Sequence, residues 1–249
     1  MPLKNSIKIM ANIISFEMNI VWSRLVLWLN IVLITIFSLL YYESGLYSEN
    51  PLFPNMGRLE NLSAMADAIK SSSNIYVIIL TITCVFTWSR FSGDILKTLL
   101  SLPISRKIFF ICNIINIFLP PCIIFLVSHI FAGIYILNHV LLTDIMILIP
   151  LILLQTLFIV SIVTLISLIL KNSIISLFLV LSIFTLPSQF PELKYIDPMY
   201  FYKTTLTYIW GLGKDVSYLN VIELLGLDLS ITIVMLILSL IYFLKMDID

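Results

Sequence analysis

Residues 145–170 read IMILIPLILLQTLFIVSIVTLISLIL, an apolar run between Asp144 and Lys171 without a charged side chain. A helix needs about 20 mostly apolar residues to cross the hydrocarbon core of a bilayer, and a charge at the bilayer centre is costly. The run therefore predicts a transmembrane helix. The same reasoning applies to every long gap between charges. The other gaps of this kind are 25–42, 71–89, 108–143, 172–191 and 229–244.

The composition of the whole chain also indicates a membrane protein. Of the 249 residues, 60% are hydrophobic and 11% are charged, whereas soluble domains have roughly 45–50% apolar and about 25% charged residues. One core could not hide this much apolar side chain, which excludes a water-soluble fold. The net charge is zero, so no basic surface predicts a nucleic-acid partner. The three cysteines lie in apolar stretches without CxxC spacing, which predicts packing residues rather than a disulfide or metal site.

The gap 108–143 is too long for one crossing and too short for two crossings with a turn. We assign one span to it and expect Pro120 and Pro121, in its middle, to kink the helix. The predicted fold is an all-α integral membrane protein, a single domain over residues 1–249 with six transmembrane helices. The predicted spans are 25–42, 73–91, 108–137, 145–170, 173–190 and 224–244.

The basic residues predict the orientation of these spans, because cytoplasmic loops are enriched in Lys and Arg. With six spans and the N-terminus inside, nine of the 14 basic residues but only four of the 14 acidic residues fall on the inner side. We therefore expect a multi-pass protein of the plasma membrane with both termini cytoplasmic. Residues 25–42 are interpreted as an uncleaved span rather than a signal peptide.

Two segments outside the spans have informative patterns. Residues 6–23 carry an apolar stripe at helical spacing, which predicts a helix lying in the inner membrane interface; a plain cytoplasmic extension of the first span is the alternative. Residues 187–222 are rich in Pro, Gly and aromatic side chains. They predict a short extracellular re-entrant region with its aromatic rings at the headgroup level. The outer loop 43–74 predicts turns followed by a short helix at 59–69.

The inner loop 90–107, RFSGDILKTLLSLPISRK, is basic and more elaborate than a connector requires. Ile95, Leu99 and Leu102 form a helix-like apolar stripe, and Pro103 ends it. This pattern predicts a short amphipathic helix, parallel to the membrane, that presents a surface to a cytoplasmic partner. A solvated positive-inside connector explains the pattern equally well.

Residues 93–106, GDILKTLLSLPISR, resemble a segment of the permease subunits of type-2 ABC transporters. In those proteins an acidic, Gly-containing stretch after the second span leads into Leu-Leu and then Pro-Val/Ile-Ser-Arg. Six predicted spans, a predicted interfacial helix with Glu17 before Arg24, and a short fifth span followed by a re-entrant region extend the resemblance over nearly the whole chain. The family often has Glu just before the Gly and again soon after it, whereas this chain has Ser92 and residues 95–97 there.

The resemblance implies a membrane-spanning permease subunit of an ATP-driven exporter. Such a subunit is not itself an enzyme and holds no cofactor, because a separate cytoplasmic ATP-binding cassette subunit binds and hydrolyses ATP. The family's loop after the second span is the coupling helix that docks on this ATPase, and a second permease copy or related permease completes the substrate path. The implied docking residues are Leu99, Leu100, Leu102, Pro103 and Arg106, with Glu17 and Arg24 in the connecting helix.

Polar residues within the predicted third and fourth spans are candidates for lining the path, and interhelical hydrogen bonding is their other interpretation. These residues are Asn113, Asn116, Gln155 and Thr156. An intramembrane enzyme is disfavoured because the chain has no HExxH, no GxSxG and no paired intramembrane carboxylates. A secondary transporter would predict internal repeats with matched broken helices. The alternative function is a non-catalytic accessory membrane subunit of a larger membrane complex.

Overall fold

The computed structural model describes residues 58–89, 105–136, 146–197, 200–211 and 218–246, together with Asn12 and Val32. Within these ranges the chain is helical and contains no strand, which confirms the all-α class. The α-helices are α1 (Arg58–Ser89), α2 (Arg106–Ile136), α3 (Leu148–Leu170), α4 (Ser173–Gln189), α5 (Tyr200–Ile209) and α6 (Tyr218–Lys245), and a 3₁₀ helix (Pro191–Ile196) lies between α4 and α5.

Three of the described helices are long and apolar enough to cross a membrane. They comprise Arg106–Val127 of α2, Leu148–Leu170 of α3 and Val221–Lys245 of α6. The apolar parts of α1 and α4, Ser73–Trp88 and Ser173–Pro187, are shorter. Except for Asn12 and Val32, the predicted interfacial helix 6–23 and the predicted span 25–42 lie outside the described residues, as do residues 90–104, so six spans remain a prediction.

Helix α1 is longer than the span predicted within it. It is one continuous helix of 32 residues, about 48 Å at 1.5 Å per residue, and it includes the stretch 59–69 predicted as a separate short helix. Charge-free gaps locate the apolar part of a helix, and a helix can continue past that part into polar surroundings. Helix α2 likewise runs without a break through Pro120 and Pro121, as expected for a single helix in this region.

Helix α3 is the centre of the bundle, because it packs against every other described α-helix. Its sequence has no charged residue, and its few polar side chains are neutral, so every face can be buried. Helix α6 packs mainly on α3. Its buried stripe is narrow and follows helical spacing, while most of its other apolar side chains are exposed. The fully buried part of the stripe is Leu224, Asp228, Thr232, Ser239 and Phe243.

The contacts at one end of the bundle fix the relative directions of three helices. The Arg106 guanidinium at the start of α2 donates hydrogen bonds to the carbonyls of Leu244 and Met246 at the end of α6, at 3.3 and 3.1 Å. Trp88, near the end of α1, packs on Phe110 and Phe243 with ring centroids 5.6 and 5.9 Å apart. Therefore α1 and α6 finish where α2 begins, and α2 runs antiparallel to both.

A two-residue connection turns the chain from α3 into α4. Lys171 takes the left-handed conformation at φ 52° and donates its amide to the carbonyl of Ser167 at 3.1 Å. Asn172 then caps α4, since its Oδ1 accepts from the amides of Ile174 and Ile175 at 3.0 and 3.1 Å. The cap satisfies two of the amides that the first helical turn leaves without partners.

Substituting Asn172 by Ala is expected to destabilise the folded protein by about 0.5–2 kcal/mol, because the two amides lose their acceptor. Thermal unfolding in nanodiscs measures the change, and Asn172→Asp is the matched control because it keeps an acceptor oxygen in place. Equal melting temperatures for the Ala and Asp variants would show that the cap contributes nothing.

Candidate functional site

All four residues predicted to line a path lie inside the bundle. Asn113 and Asn116 are on α2, whereas Gln155 and Thr156 are on α3, and each is at most 1% exposed. The sequence prediction therefore selected side chains that the fold directs inward. Thr156 and the two asparagines differ in their hydrogen bonding.

Thr156 joins two helices through its hydroxyl. Its Oγ1 donates to the carbonyl of Ile152 at 2.6 Å and lies 2.7 Å from the Tyr76 hydroxyl. Because a threonine hydroxyl has one proton, the Tyr76 hydroxyl donates to Thr156. The Tyr76 ring also stacks on Phe125 of α2, with ring centroids 4.0 Å apart. Tyr76 thus connects α1 to both α2 and α3. Its bond with Thr156 is an interhelical hydrogen bond, which was the second interpretation of Thr156 from the sequence.

Asn113 and Asn116 make no such contact. The oxygen and the nitrogen of both side-chain amides lack a hydrogen-bond partner, although both residues are buried. They are three residues apart on α2, so they lie on the same side of the helix. This pair is the strongest concentration of unused hydrogen-bonding capacity among the described residues on α2.

Further buried polar atoms lie on α5 and α6, where the sequence did not predict a site. Tyr202 Oη, Thr205 Oγ1 and Asp228 Oδ2 have no hydrogen-bond partner, and these residues are 0%, 4% and 7% exposed. Burial raises the pKa of the Tyr202 hydroxyl above its ordinary value. The buried residues of α5 follow the spacing of one helical face. This spacing in residues 200–209 was the sequence signal that could have indicated a buried face here. These residues are Phe201, Tyr202, Thr205 and Leu206.

The aromatic cluster predicted for the headgroup level is divided by the fold. Phe201, Tyr202 and Trp210 are buried, whereas Tyr195 is 48% exposed. Lys194 places its ammonium over the rings of Tyr195 and Tyr200, 5.2 and 5.3 Å from their centroids. The hydrogen bond with Tyr200 raises the pKa of Lys194. Tyr195 therefore presents aromatic surface to the surroundings, whereas the three buried rings do not.

The end of the bundle that contains Arg106 has a buried aromatic core. Trp88 is 3% exposed and donates its indole N–H to Thr164 Oγ1 at 3.0 Å, which connects α1 to α3. Phe243 of α6 packs on Trp88, Phe109 and Phe110. Four helices therefore meet around these side chains.

Among the predicted ATPase-docking residues, Arg106 is the one within the described ranges. It is half-buried, and its guanidinium is bonded to the last carbonyls of α6. A cation at a helix C-terminus also interacts favourably with the helix dipole. The other docking candidates, Leu99, Leu100, Leu102 and Pro103, and the connecting-helix candidates Glu17 and Arg24, lie outside the described residues.

The part of the chain that the structure describes holds no group of three His, Cys, Asp or Glu side chains that could bind a metal ion. Comparison with known protein families and with curated proteins gives no match to this chain.

Proposed function

We propose that the chain is the membrane-spanning permease subunit of an ATP-driven ABC transporter of the type-2 class, acting as an exporter. The observation that carries the proposal is the segment GDILKTLLSLPISR at 93–106, which joins two neighbouring helices of the bundle. A separate cytoplasmic ATPase subunit binds ATP and docks on this segment. The chain itself is not an enzyme and needs no cofactor.

The packing at both ends of this segment supports a mechanical role. On one side α1 finishes next to Trp88, and on the other α2 begins at Arg106, which is bonded to the end of α6. Trp88 also holds α3 through Thr164. A force applied to residues 90–105 by a partner would therefore act on four packed helices. A solvated connector would not need this attachment.

In the proposed arrangement six spans cross the plasma membrane with both termini in the cytoplasm, and residues 6–23 lie in the inner interface. The short helix α4 is the fifth span, and the 3₁₀ helix and α5 that follow it belong to the re-entrant region at the outer face. The exposed Tyr195 and the cation over its ring suit the headgroup level, where amphipathic rings settle.

A second permease copy or a related permease, with the surrounding lipid bilayer, completes the assembly. Few polar side chains are available in one copy to enclose a sealed path for a large substrate. The buried residues Asn113, Asn116, Gln155 and Thr156 are the path-lining candidates. The alternative is an accessory membrane subunit, which would share the helices and the hydropathy but would not need residues 93–106 to bind a partner.

The direct test starts with a search for an ABC ATPase with a complete phosphate loop encoded beside this chain, followed by reconstitution of the chain with that ATPase, purified separately. Proteoliposomes that contain both proteins should hydrolyse ATP faster than the ATPase alone, and the two should co-purify. An ATPase that neither binds the chain nor responds to it would favour the accessory subunit.

Cysteine labelling from either side of the membrane tests the orientation. We expect Ser48→Cys and Lys214→Cys to react with an impermeant maleimide added outside, and Ser105→Cys to react only when the reagent reaches the inside. The native cysteines Cys84, Cys112 and Cys122 are all buried, so the unsubstituted protein should give little background. Labelling of position 105 from outside would overturn the proposed topology.

A further inference from the structure

The middle of α2 contains hydrogen-bonding groups that the helix bundle does not use. Asn113 is 0% exposed and Asn116 is 1% exposed, and all four oxygen and nitrogen atoms of their side-chain amides lack a partner. Buried polar groups in native proteins are nearly always hydrogen-bonded. The requirement is stricter for side chains that face the interior of an apolar bundle, because bulk water cannot replace a missing partner.

Two prolines add to this unused capacity through their covalent structure. Pro120 and Pro121 have no amide proton, so the carbonyls of Asn116 and Ile117, four residues earlier, lose their usual helical donors. Helix α2 nevertheless continues past both prolines to Ile136. Because residues 113, 116, 117 and 120 lie on one side of a helix, the two amides and the two carbonyls are on the same side of α2. Asn116 and Ile117 are themselves buried.

The chemistry of these groups selects a neutral ligand. Each asparagine amide offers two N–H donors and one acceptor oxygen, and the two backbone carbonyls offer only acceptors. The N–H donors disfavour a bare cation, and the carbonyl oxygens disfavour an anion. Helix α2 carries no charge after Lys107, and the neighbouring α3 carries none. A hydroxyl group both donates and accepts, so it matches the mixture.

We infer that Asn113, Asn116 and the carbonyls of Asn116 and Ile117 form a buried binding site for neutral hydroxyl groups. The hydroxyl comes either from internal water or from an amphiphilic molecule in the membrane, since both present the same O–H chemistry. The site depends only on the packing and sequence of α2. It exists whether or not the chain is an ABC permease.

Replacing both asparagines by leucine distinguishes an occupied site from a dry one. Leucine removes the amides and excludes the hydroxyl, which leaves the two carbonyls without a donor. Each substitution should therefore lower the melting temperature in nanodiscs by about 2–4 °C. The matched control is Ile114→Leu, a volume-conserving change at a partly buried position between the two asparagines, which should have a smaller effect. A melting temperature above that of the wild type would mean that the amides are unpaired and dry, and would overturn the inference.

Should the double leucine variant fail to fold, Asn116→Ser and Asn116→Ala provide the same comparison with small side chains. Serine keeps an O–H group that can serve the carbonyls, so its melting temperature should stay close to that of the wild type. Alanine should melt lower. Alanine melting at or above serine would contradict an occupied site.

Two probes identify the source of the hydroxyl. If the ligand is internal water, infrared difference spectra of the wild type in ordinary and ¹⁸O-labelled water should show an isotope-sensitive O–H band. This band should be absent from the Asn113→Leu/Asn116→Leu variant. If that variant does not fold, the band should be absent from Asn116→Ala. If the ligand is an amphiphile, 1-decanol should raise the melting temperature of the wild type more than decane does. This difference should disappear in the variant used for the infrared comparison. Failure of both probes would overturn the inference even if leucine lowers the melting temperature.

Discussion

A Leu99→Asp substitution is expected to abolish both co-purification of the ATPase subunit and stimulation of ATP hydrolysis in proteoliposomes. Leu99 and Leu102 share a face of the helix predicted at 95–102, and burying each leucine in a partner groove contributes roughly 1.5–3 kcal/mol. The aspartate removes this contribution and places a carboxylate in an apolar contact, where it must lose its hydration. No other single change is expected to affect coupling as strongly.

Thr98→Asp is the matched control, because it adds the same charge one residue earlier and off the apolar stripe. It should insert and couple nearly as the wild type does. Arg106→Ala should weaken coupling without abolishing it, since Arg106 holds the end of α6 through two carbonyls. Normal membrane insertion together with full coupling in Leu99→Asp would reduce residues 90–107 to a positive-inside connector and favour the accessory subunit.

Truncating Trp88 to alanine should destabilise the bundle by about 3–5 kcal/mol, which is the usual cost of removing a buried tryptophan side chain. Trp88 packs on Phe110 and Phe243, and its indole donates to Thr164, so the change opens a cavity among four helices. It also leaves a buried threonine hydroxyl without its donor. Thermal unfolding in nanodiscs should detect the loss as a large fall in melting temperature.

Phe86→Ala provides the comparison on the same helix, because Phe86 is 46% exposed and its truncation creates little cavity. The Trp88→Phe variant is a milder change at the same position. It keeps an aromatic ring but loses the N–H and part of the ring volume, so it should cost less than Trp88→Ala and more than Phe86→Ala. Similar losses for Trp88→Ala and Phe86→Ala would contradict a central role for this aromatic core.

The helices were predictable from the sequence because a charge is costly in hydrocarbon, so gaps between charges mark the apolar segments. Helix α3 matches the run between Asp144 and Lys171 within a few residues at its start and ends at Leu170. The beginning of α1 was not predictable in this way. Its first turns carry Glu60, Asp67 and Lys70, and a helix in polar surroundings tolerates such charges.

The sequence predicted which side chains point into the bundle only where a polar residue stands among apolar ones. Asn113, Asn116, Gln155 and Thr156 differ from their apolar neighbours, and all four are buried as expected for residues that avoid lipid. Tyr202 and Tyr195 look alike in the sequence, yet one is fully buried and the other is 48% exposed. A tyrosine suits both a core and a headgroup region, and lipid is as apolar as the packed interior. Only the fold separates the two residues.

The short connection at Lys171 and Asn172 bears on how the protein is made. In the proposed topology two residues cannot form a loop that extends far from the membrane, so we expect α3 and α4 to enter the bilayer as one hairpin rather than one after the other. Under this topology the insertion of α3 waits until α4 has also been synthesised, and the two helices then insert in a single event. A nascent chain that stops within α4 would leave α3 without its paired helix.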